Sequence, residues 1–158
     1  ELGSSDMRSD TYRALHPMGR VPTLVDGDIT LYESGAILQY LLAKYGTGRF
    51  IPDVNSAAFA VNLQWFHYAE GMIMPPMNTI VVETILLPPE RRNEVNVKRA
   101  TKLLGQMLTS VEQQLEGKTF LLGEHLSAAD FMTGHAVIMA KRLGADFSDK
   151  PNLQQYSE

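Results

Sequence analysis

Residues 19–45, GRVPTLVDGDITLYESGAILQYLLAKY, constrain this chain more than any other stretch. Two short runs, Val21-Pro22-Thr23-Leu24-Val25 and Ile29-Thr30-Leu31-Tyr32, flank Asp26-Gly27-Asp28. β-Branched runs around an Asp-Gly step predict a hairpin, because glycine supplies the left-handed backbone that a tight turn needs. Beyond Tyr32 the period changes. Ala36, Ile37, Tyr40, Leu41 and Lys44-Tyr45 are spaced for one buried face of a helix. Ser34 is the expected N-cap, and the amides just after it lack partners inside the helix. Such a helix start favours an anion. Beside an extended Val-Pro segment, it predicts a place to hold a peptide-like ligand that carries a carboxylate.

Composition narrows the partners. With 158 residues, 44% of them hydrophobic, the chain is long enough for one domain or two small ones with a real core. Its net charge is −4 and it carries no basic stripe, which argues against nucleic acid and anionic membranes. There are no cysteines, so disulfides, thiolate metal sites and a cysteine nucleophile are excluded within these residues. The 4 histidines are too scattered for a metal site. No apolar run approaches the roughly 20 residues that a membrane helix needs. No phosphate loop, zinc-helix motif or Ser/His/Asp arrangement is present.

Residues 3–18 are polar and turn-rich, with a short helical segment over 9–15 that His16-Pro17 stops. Arg13, His16 and Arg20 are the polar groups nearest the Val-Pro segment. They read either as solvated loop residues or, for Arg20 above all, as a group facing a ligand carboxylate. Gly46 suits a helix C-cap, and the following Gly/Pro-containing stretch is the one credible linker. The expected organisation is a first domain over 1–46, a linker over 47–55 and an all-helical domain over 56–158. In the latter, Val61, Trp65, Tyr68 and Met72 predict one face of a first helix. Pro75-Pro76 is expected to kink or break that helix, which resumes to residue 87. Met72, Met74 and Met77 either fill gaps in a core or line a pocket for varied apolar molecules. Residues 90–116 predict a long helix with Leu104, Leu108, Val111 and Leu115 as its stripe. Ser127 and Asp130 form a capping-box pattern, with Leu126 and Phe131 placed for a hydrophobic staple. Asp130 is therefore assigned to folding and not to chemistry. Pro151 opens a last helix.

In their order and spacing, Val21-Pro22, Asp26-Gly27-Asp28 and Glu33-Ser34 resemble the glutathione-binding domain of cytosolic glutathione transferases of bacterial type. Ser127-x-x-Asp130 resembles the start of a buried helix in that family's second domain. The resemblance covers essentially the whole chain. It implies an α+β two-domain fold: a partial thioredoxin-like α/β domain, then an all-α helical bundle. Relative to the family, the first strand, first helix and last helices are expected to be missing, with Glu1-Leu2 as the end of a strand.

The resemblance also implies roles. Val21-Pro22 is expected in cis, with the Val21 backbone pairing with the cysteinyl part of glutathione. Glu33 and Ser34 receive the γ-glutamyl amino and carboxylate groups, and Arg20 faces the glycine carboxylate in some classes. Met72 and Met74 fall on the helix that lines the electrophile site. Glu70 reads by itself as a solvent-facing carboxylate, and by resemblance as a contact to glutathione in a partner subunit. The thiol-activating Tyr, Ser or Cys of the family lies early in the first domain. It is expected before Glu1, since Tyr12, Tyr32 and Ser34 do not match its position. The implied function is conjugation of the glutathione thiolate to small hydrophobic electrophiles by a cytoplasmic homodimer. Glutathione serves as co-substrate, with no metal. The alternatives are a non-catalytic protein-interaction module and another glutathione-dependent activity, such as dehalogenation, isomerisation or disulfide reduction.

Overall fold

The computed structural model describes residues 5–158. The expected strand end at Leu2 lies outside the described residues. The chain divides into two compact units, Glu1–Arg49 and Phe50–Glu158.

In the first unit a 3-10 turn, Ser5–Arg8, leads into a short helix α1, Asp10–Leu15. Ser9 caps α1 by accepting the Tyr12 amide at 3.2 Å. Strands β1 (Thr23–Asp26) and β2 (Ile29–Tyr32) pair antiparallel from Thr23↔Tyr32 to Asp26↔Ile29. That register leaves Gly27-Asp28 as a two-residue turn, and Gly27 supplies its left-handed φ of 60°. Helix α2, Ser34–Tyr45, follows directly.

The expectation of a buried stripe on α2 needs correcting, because none of its side chains is fully buried. Lys44 and Tyr45 instead reach the hairpin. Tyr40 Oη, Lys44 Nζ and Tyr45 Oη donate to Asp26 Oδ2 at 2.7, 2.7 and 2.6 Å. Three donors on one oxygen, the Lys44 ammonium first among them, hold the Asp26 carboxyl well below the usual carboxylate range. The helix is thus fixed to the hairpin by polar bonds.

The second unit is helical. Ser56 caps α3, Ala57–Tyr68, which passes through a π turn, Ala69–Ile73, into α4, Met74–Val81, and a second π turn, Val82–Leu86. The expected break at Pro75-Pro76 does not occur. Ile73 and Met74 both keep right-handed helical angles. The π turn re-registers the hydrogen-bond ladder, and the prolines fall in the first turn of α4, where a missing N–H costs little. The buried face is offset by one residue from the expected one. It runs Asn62, Trp65, Phe66, Ala69, Ile73 and Met77, while Met72 is exposed.

The long helix also starts later than expected. A 3-10 turn, Pro89–Arg91, precedes α5, Glu94–Gln114, whose N-cap Asn93 accepts the Val95 and Asn96 amides. Buried Glu83 accepts the Asn93 amide and the Asn96 side chain, both at 2.8 Å, which closes the turn between α4 and α5. Leu104, Leu108, Val111 and Leu115 are buried, as their spacing predicts. Each such side chain stabilises the unit by about 1.5–3 kcal/mol.

Helix α6, Ala128–Arg142, crosses this core with eight buried residues, and α7, Pro151–Tyr156, follows. The capping box at its start is formed. The Asp130 carboxylate accepts the Ser127 amide (2.8 Å), the Ser127 hydroxyl (2.6 Å), the Leu121 amide (2.8 Å) and the Tyr156 hydroxyl (2.9 Å). Burial, and then the Asp130 charge, push the Tyr156 phenol up. The Ala128 and Ala129 amides donate to Phe50 O and Asn62 Oδ1, so this helix start is filled from within the fold. Phe131, expected beside Leu126, makes an edge-on contact with Phe50 at 5.1 Å between ring centroids.

Candidate functional site

The register of the hairpin builds the site. Thr23 and Tyr32 are the last paired residues at its open end. Val21-Pro22 enters β1 there, and Glu33-Ser34 leaves β2 there. Paired strands lie about 4.7–4.9 Å apart, so the two dipeptides are neighbours although ten residues lie between Pro22 and Glu33 in the chain.

The loop that delivers the first dipeptide is held from several sides. Tyr12 Oη donates to Arg20 O at 2.6 Å and shares a 3.2 Å hydrogen bond with Thr23 Oγ1. Gly19 has φ 58°, and a Cβ there would run into Met7 O, so no larger residue fits without displacing that carbonyl. His16 Nδ1 accepts the Met18 amide at 3.2 Å, and its carbonyl accepts the Gly19 amide at 2.8 Å. The Val21-Pro22 bond is cis, as the resemblance implies. The side chains of Arg20, Val21 and Pro22 are exposed.

The second dipeptide differs from the sequence expectation. Ser34 is the first residue of α2, and Glu33 stands in the cap position with φ 77° and ψ 112°. The reason is the direct passage from β2 into α2. A single left-handed residue makes that turn, and no extended residue is left for Ser34 to occupy. The Glu33 side chain makes no capping bond, while its carbonyl accepts the Ile37 amide at 2.9 Å. A non-glycine residue at such a φ costs about 1–3 kcal/mol and is found where surrounding structure imposes it, often at functional sites. Sequence reading identified Glu33 but not this conformation. The signal it lacked is a glycine, which is the usual mark of positive φ.

The other expected contacts belong to the helical unit. Glu70 is exposed on the π turn, Met72 is 43% exposed and Met74 is half-buried. Tyr12 is engaged with Arg20 and Thr23, and Tyr32 lies against the His16 ring at 4.7 Å. Among the described residues, no group of three His, Cys, Asp or Glu side chains is placed to hold a metal ion, and no helix is long and apolar enough to cross a membrane.

Comparison with known proteins identifies the family. Residues 2–49 match the glutathione S-transferase N-terminal domain, and residues 73–158 match the glutathione S-transferase C-terminal domain. The chain belongs to the glutathione S-transferase family. Its two units are therefore a thioredoxin-like domain and the family's helical domain.

It is 35% identical to glutathione S-transferase 4 of Zea mays over 132 residues, which cover 79% of this chain and 56% of the maize protein. It is 26% identical to glutathione S-transferase GstB of Escherichia coli K12, covering 92% of this chain and 70% of that protein. The chain thus spans little more than half the length of the maize relative. Among solved structures, the glutathione transferase of Burkholderia graminis has two glutathione molecules bound per subunit. It superposes with a TM-score of 0.82 at 28% identity, over 99% of this chain and 69% of that one. The theta class enzyme of Xanthomonas axonopodis pv. citri, with glutathione bound, gives a TM-score of 0.81 at 25% identity, over 96% of this chain and 72% of that one.

Proposed function

We propose that the open end of the hairpin binds glutathione and that the protein is a glutathione transferase acting on small hydrophobic electrophiles. The observation that carries this reading is the juxtaposition of Val21-Pro22 with Glu33-Ser34, fixed by the Thr23↔Tyr32 pair. The exposed Val21 backbone offers strand-like hydrogen bonds to the cysteinyl residue. The amides at the start of α2, with the Ser34 hydroxyl, favour the γ-glutamyl carboxylate, and the Glu33 carboxylate favours its ammonium. Arg20 supplies a cation for the glycine carboxylate. Glutathione bound to the Burkholderia and Xanthomonas proteins, which resemble nearly all of this chain, supports the ligand assignment.

In the reaction, the glutathione thiol gives up its proton. The sulfur pair then attacks the electrophilic carbon, a C–S bond forms, and the leaving group departs with its electrons or the electrophile's π bond takes them. Lowering the thiol pKa is the protein's contribution to nucleophile activation. Met72 and Met74 are assigned to the electrophile side of the site, and Glu70 to glutathione bound by a partner subunit. A cytoplasmic homodimer completes the reading, with the two-fold contact on the 56–87 and 90–116 helices.

Calorimetry with glutathione, conjugation of glutathione to an aryl halide, and light scattering at micromolar concentration test the three parts. Binding, turnover and a dimer are expected. Absence of glutathione binding overturns the site. Binding without turnover points to a non-catalytic relative of the transferases.

A further inference from the structure

We infer that His16 is a positioning residue that couples the two arms of the hairpin-end site, an assignment that rests on the glutathione reading above. His16 is 5% exposed, and among the described residues of its unit it is the one buried side chain. Every apolar residue around it is at least partly open to solvent. A buried imidazole in a unit whose described residues include no buried aliphatic side chain calls for a reason other than apolar packing.

Its bonds supply the reason. His16 terminates α1, with its own amide donating to Tyr12 O at 2.9 Å. Its carbonyl and Nδ1 then accept the Gly19 and Met18 amides, so one residue closes the turn that aims Arg20 and Val21. With Nδ1 accepting, the neutral ring carries its proton on Nε2. The same ring lies 4.7 Å from the Tyr32 ring at an interplanar angle of 39°. Tyr32 is the residue before Glu33 and the partner of Thr23.

His16 therefore touches the first arm through Nδ1 and the second through its ring face. A change in either contact shifts Val21 relative to Ser34, the two groups that must grip opposite parts of one tripeptide. Errors of about 1 Å in such a pair weaken binding strongly, since a ligand gains its full affinity only from groups that are already in place. The two functions of the ring are separable by substitution. Asparagine places an acceptor oxygen where Nδ1 sits and makes the same bond to the amide two residues on. Phenylalanine keeps the ring against Tyr32 and has no acceptor.

Glutathione is titrated calorimetrically into the full-length protein and its His16→Ala, His16→Asn and His16→Phe variants, and amide hydrogen exchange is followed without ligand. His16→Ala is expected to weaken glutathione about tenfold or more, with His16→Asn and His16→Phe each recovering part of the loss. Exchange in His16→Ala is expected to accelerate at Met18, Gly19, Arg20 and Val21 and also at Glu33, Ser34 and Gly35. Asn restores the first group, and Phe restores the second. A merely local role accelerates the first group alone, and that result overturns the coupling. So does unchanged glutathione affinity in a folded His16→Ala protein. If His16→Ala fails to fold, the Asn and Phe variants carry the same comparison. If the unmodified protein takes no glutathione, the functional reading falls, while the exchange pattern still decides the coupling.

Discussion

Thr23 pairs with Tyr32, and that one cross-strand pair sets the candidate site, because it brings Pro22 and Glu33 side by side. Nothing in either dipeptide alone specifies a ligand. The Asp26 clamp from Tyr40, Lys44 and Tyr45 fixes α2 on the hairpin from the far end of the helix. Helix α2 is then held by a bond network at its C-terminal end and by a left-handed Glu33 at its start.

Ser34→Ala is expected to weaken glutathione binding while leaving the fold intact. The hydroxyl stands at the first position of α2 beside the amides assigned to a carboxylate. A charge-assisted hydrogen bond contributes about 1.5–3 kcal/mol, which corresponds to roughly ten- to hundredfold in affinity. Calorimetry on the folded variant measures it, and unchanged affinity removes Ser34 from the site.

Asp130→Ala is expected to destabilise the helical unit and leave glutathione affinity per folded molecule unchanged. The sequence pattern alone suggests the loss of one cap, on the order of 1 kcal/mol. The structure raises that figure, since the carboxylate also receives the Leu121 amide and the Tyr156 hydroxyl. Each buried donor left unpaired costs about 1–3 kcal/mol. Denaturant unfolding should show a loss well above a simple capping effect. A stable Asp130→Ala protein without glutathione binding would reverse the assignment.

What the sequence made legible follows the range of the forces involved. The hairpin, the stripe of Leu104, Leu108, Val111 and Leu115 and the Ser127/Asp130 box are local patterns, and each formed where expected. The misreadings all depend on distant partners or on the backbone ladder. Lys44 and Tyr45 were placed on a buried face because nothing local ties them to Asp26, whose side chain lies across the hairpin. The contact of Phe131 with Phe50, 81 positions away in the chain, left no local sign either. Pro75-Pro76 was read as a kink or a break, and the π turn that precedes it was not foreseen because a π turn has no composition of its own. In the candidate site, the order and spacing of Val21, Pro22, Glu33 and Ser34 carried the resemblance from which their proposed roles come. His16 was grouped with Arg13 and Arg20 as a loop residue near the Val-Pro segment, and its burial was not foreseen, since an imidazole before proline has no pattern that separates a solvated loop from a buried bond network.

The Asp26 clamp makes the hairpin–helix contact pH-dependent at both extremes. The carboxyl is depressed in the fold, chiefly by the Lys44 bond. Its contribution is therefore fully present above its unfolded value of about 3.9 and is lost as pH falls through the folded value. The Lys44 ammonium is raised by the same bond. Its contribution is present below its unfolded value of about 10.4 and is lost as pH rises through the folded value. Lys44 is exposed and Asp26 is partly so, so the effect is modest and screened by salt. Asp26→Asn should flatten the acid limb of an exchange-versus-pH profile read on α2 amides. An acid limb identical to that of the unmodified protein would show that the clamp does not hold the helix.

Glu33→Gly separates the two consequences of the left-handed turn. At φ 77° a glycine sits without the steric cost that Glu33 bears, a cost of about 1–3 kcal/mol. Glycine also gains freedom in the unfolded chain, which takes back part of the benefit, on the order of 0.4–1 kcal/mol. The net expectation is a first unit as stable as the original or slightly more so. The ligand consequence runs the other way. The substitution removes the carboxylate assigned to the γ-glutamyl ammonium, and that side chain makes no capping bond within the fold whose loss would confuse the comparison. Glutathione affinity should fall by roughly tenfold or more, in line with the loss of one charge-assisted bond. Thermal unfolding and calorimetry on the same preparation read both effects. A variant that is markedly less stable would mean that Glu33 holds the turn through its side chain. A variant that keeps full affinity would mean that the strained position serves the backbone path into α2 and not the ligand.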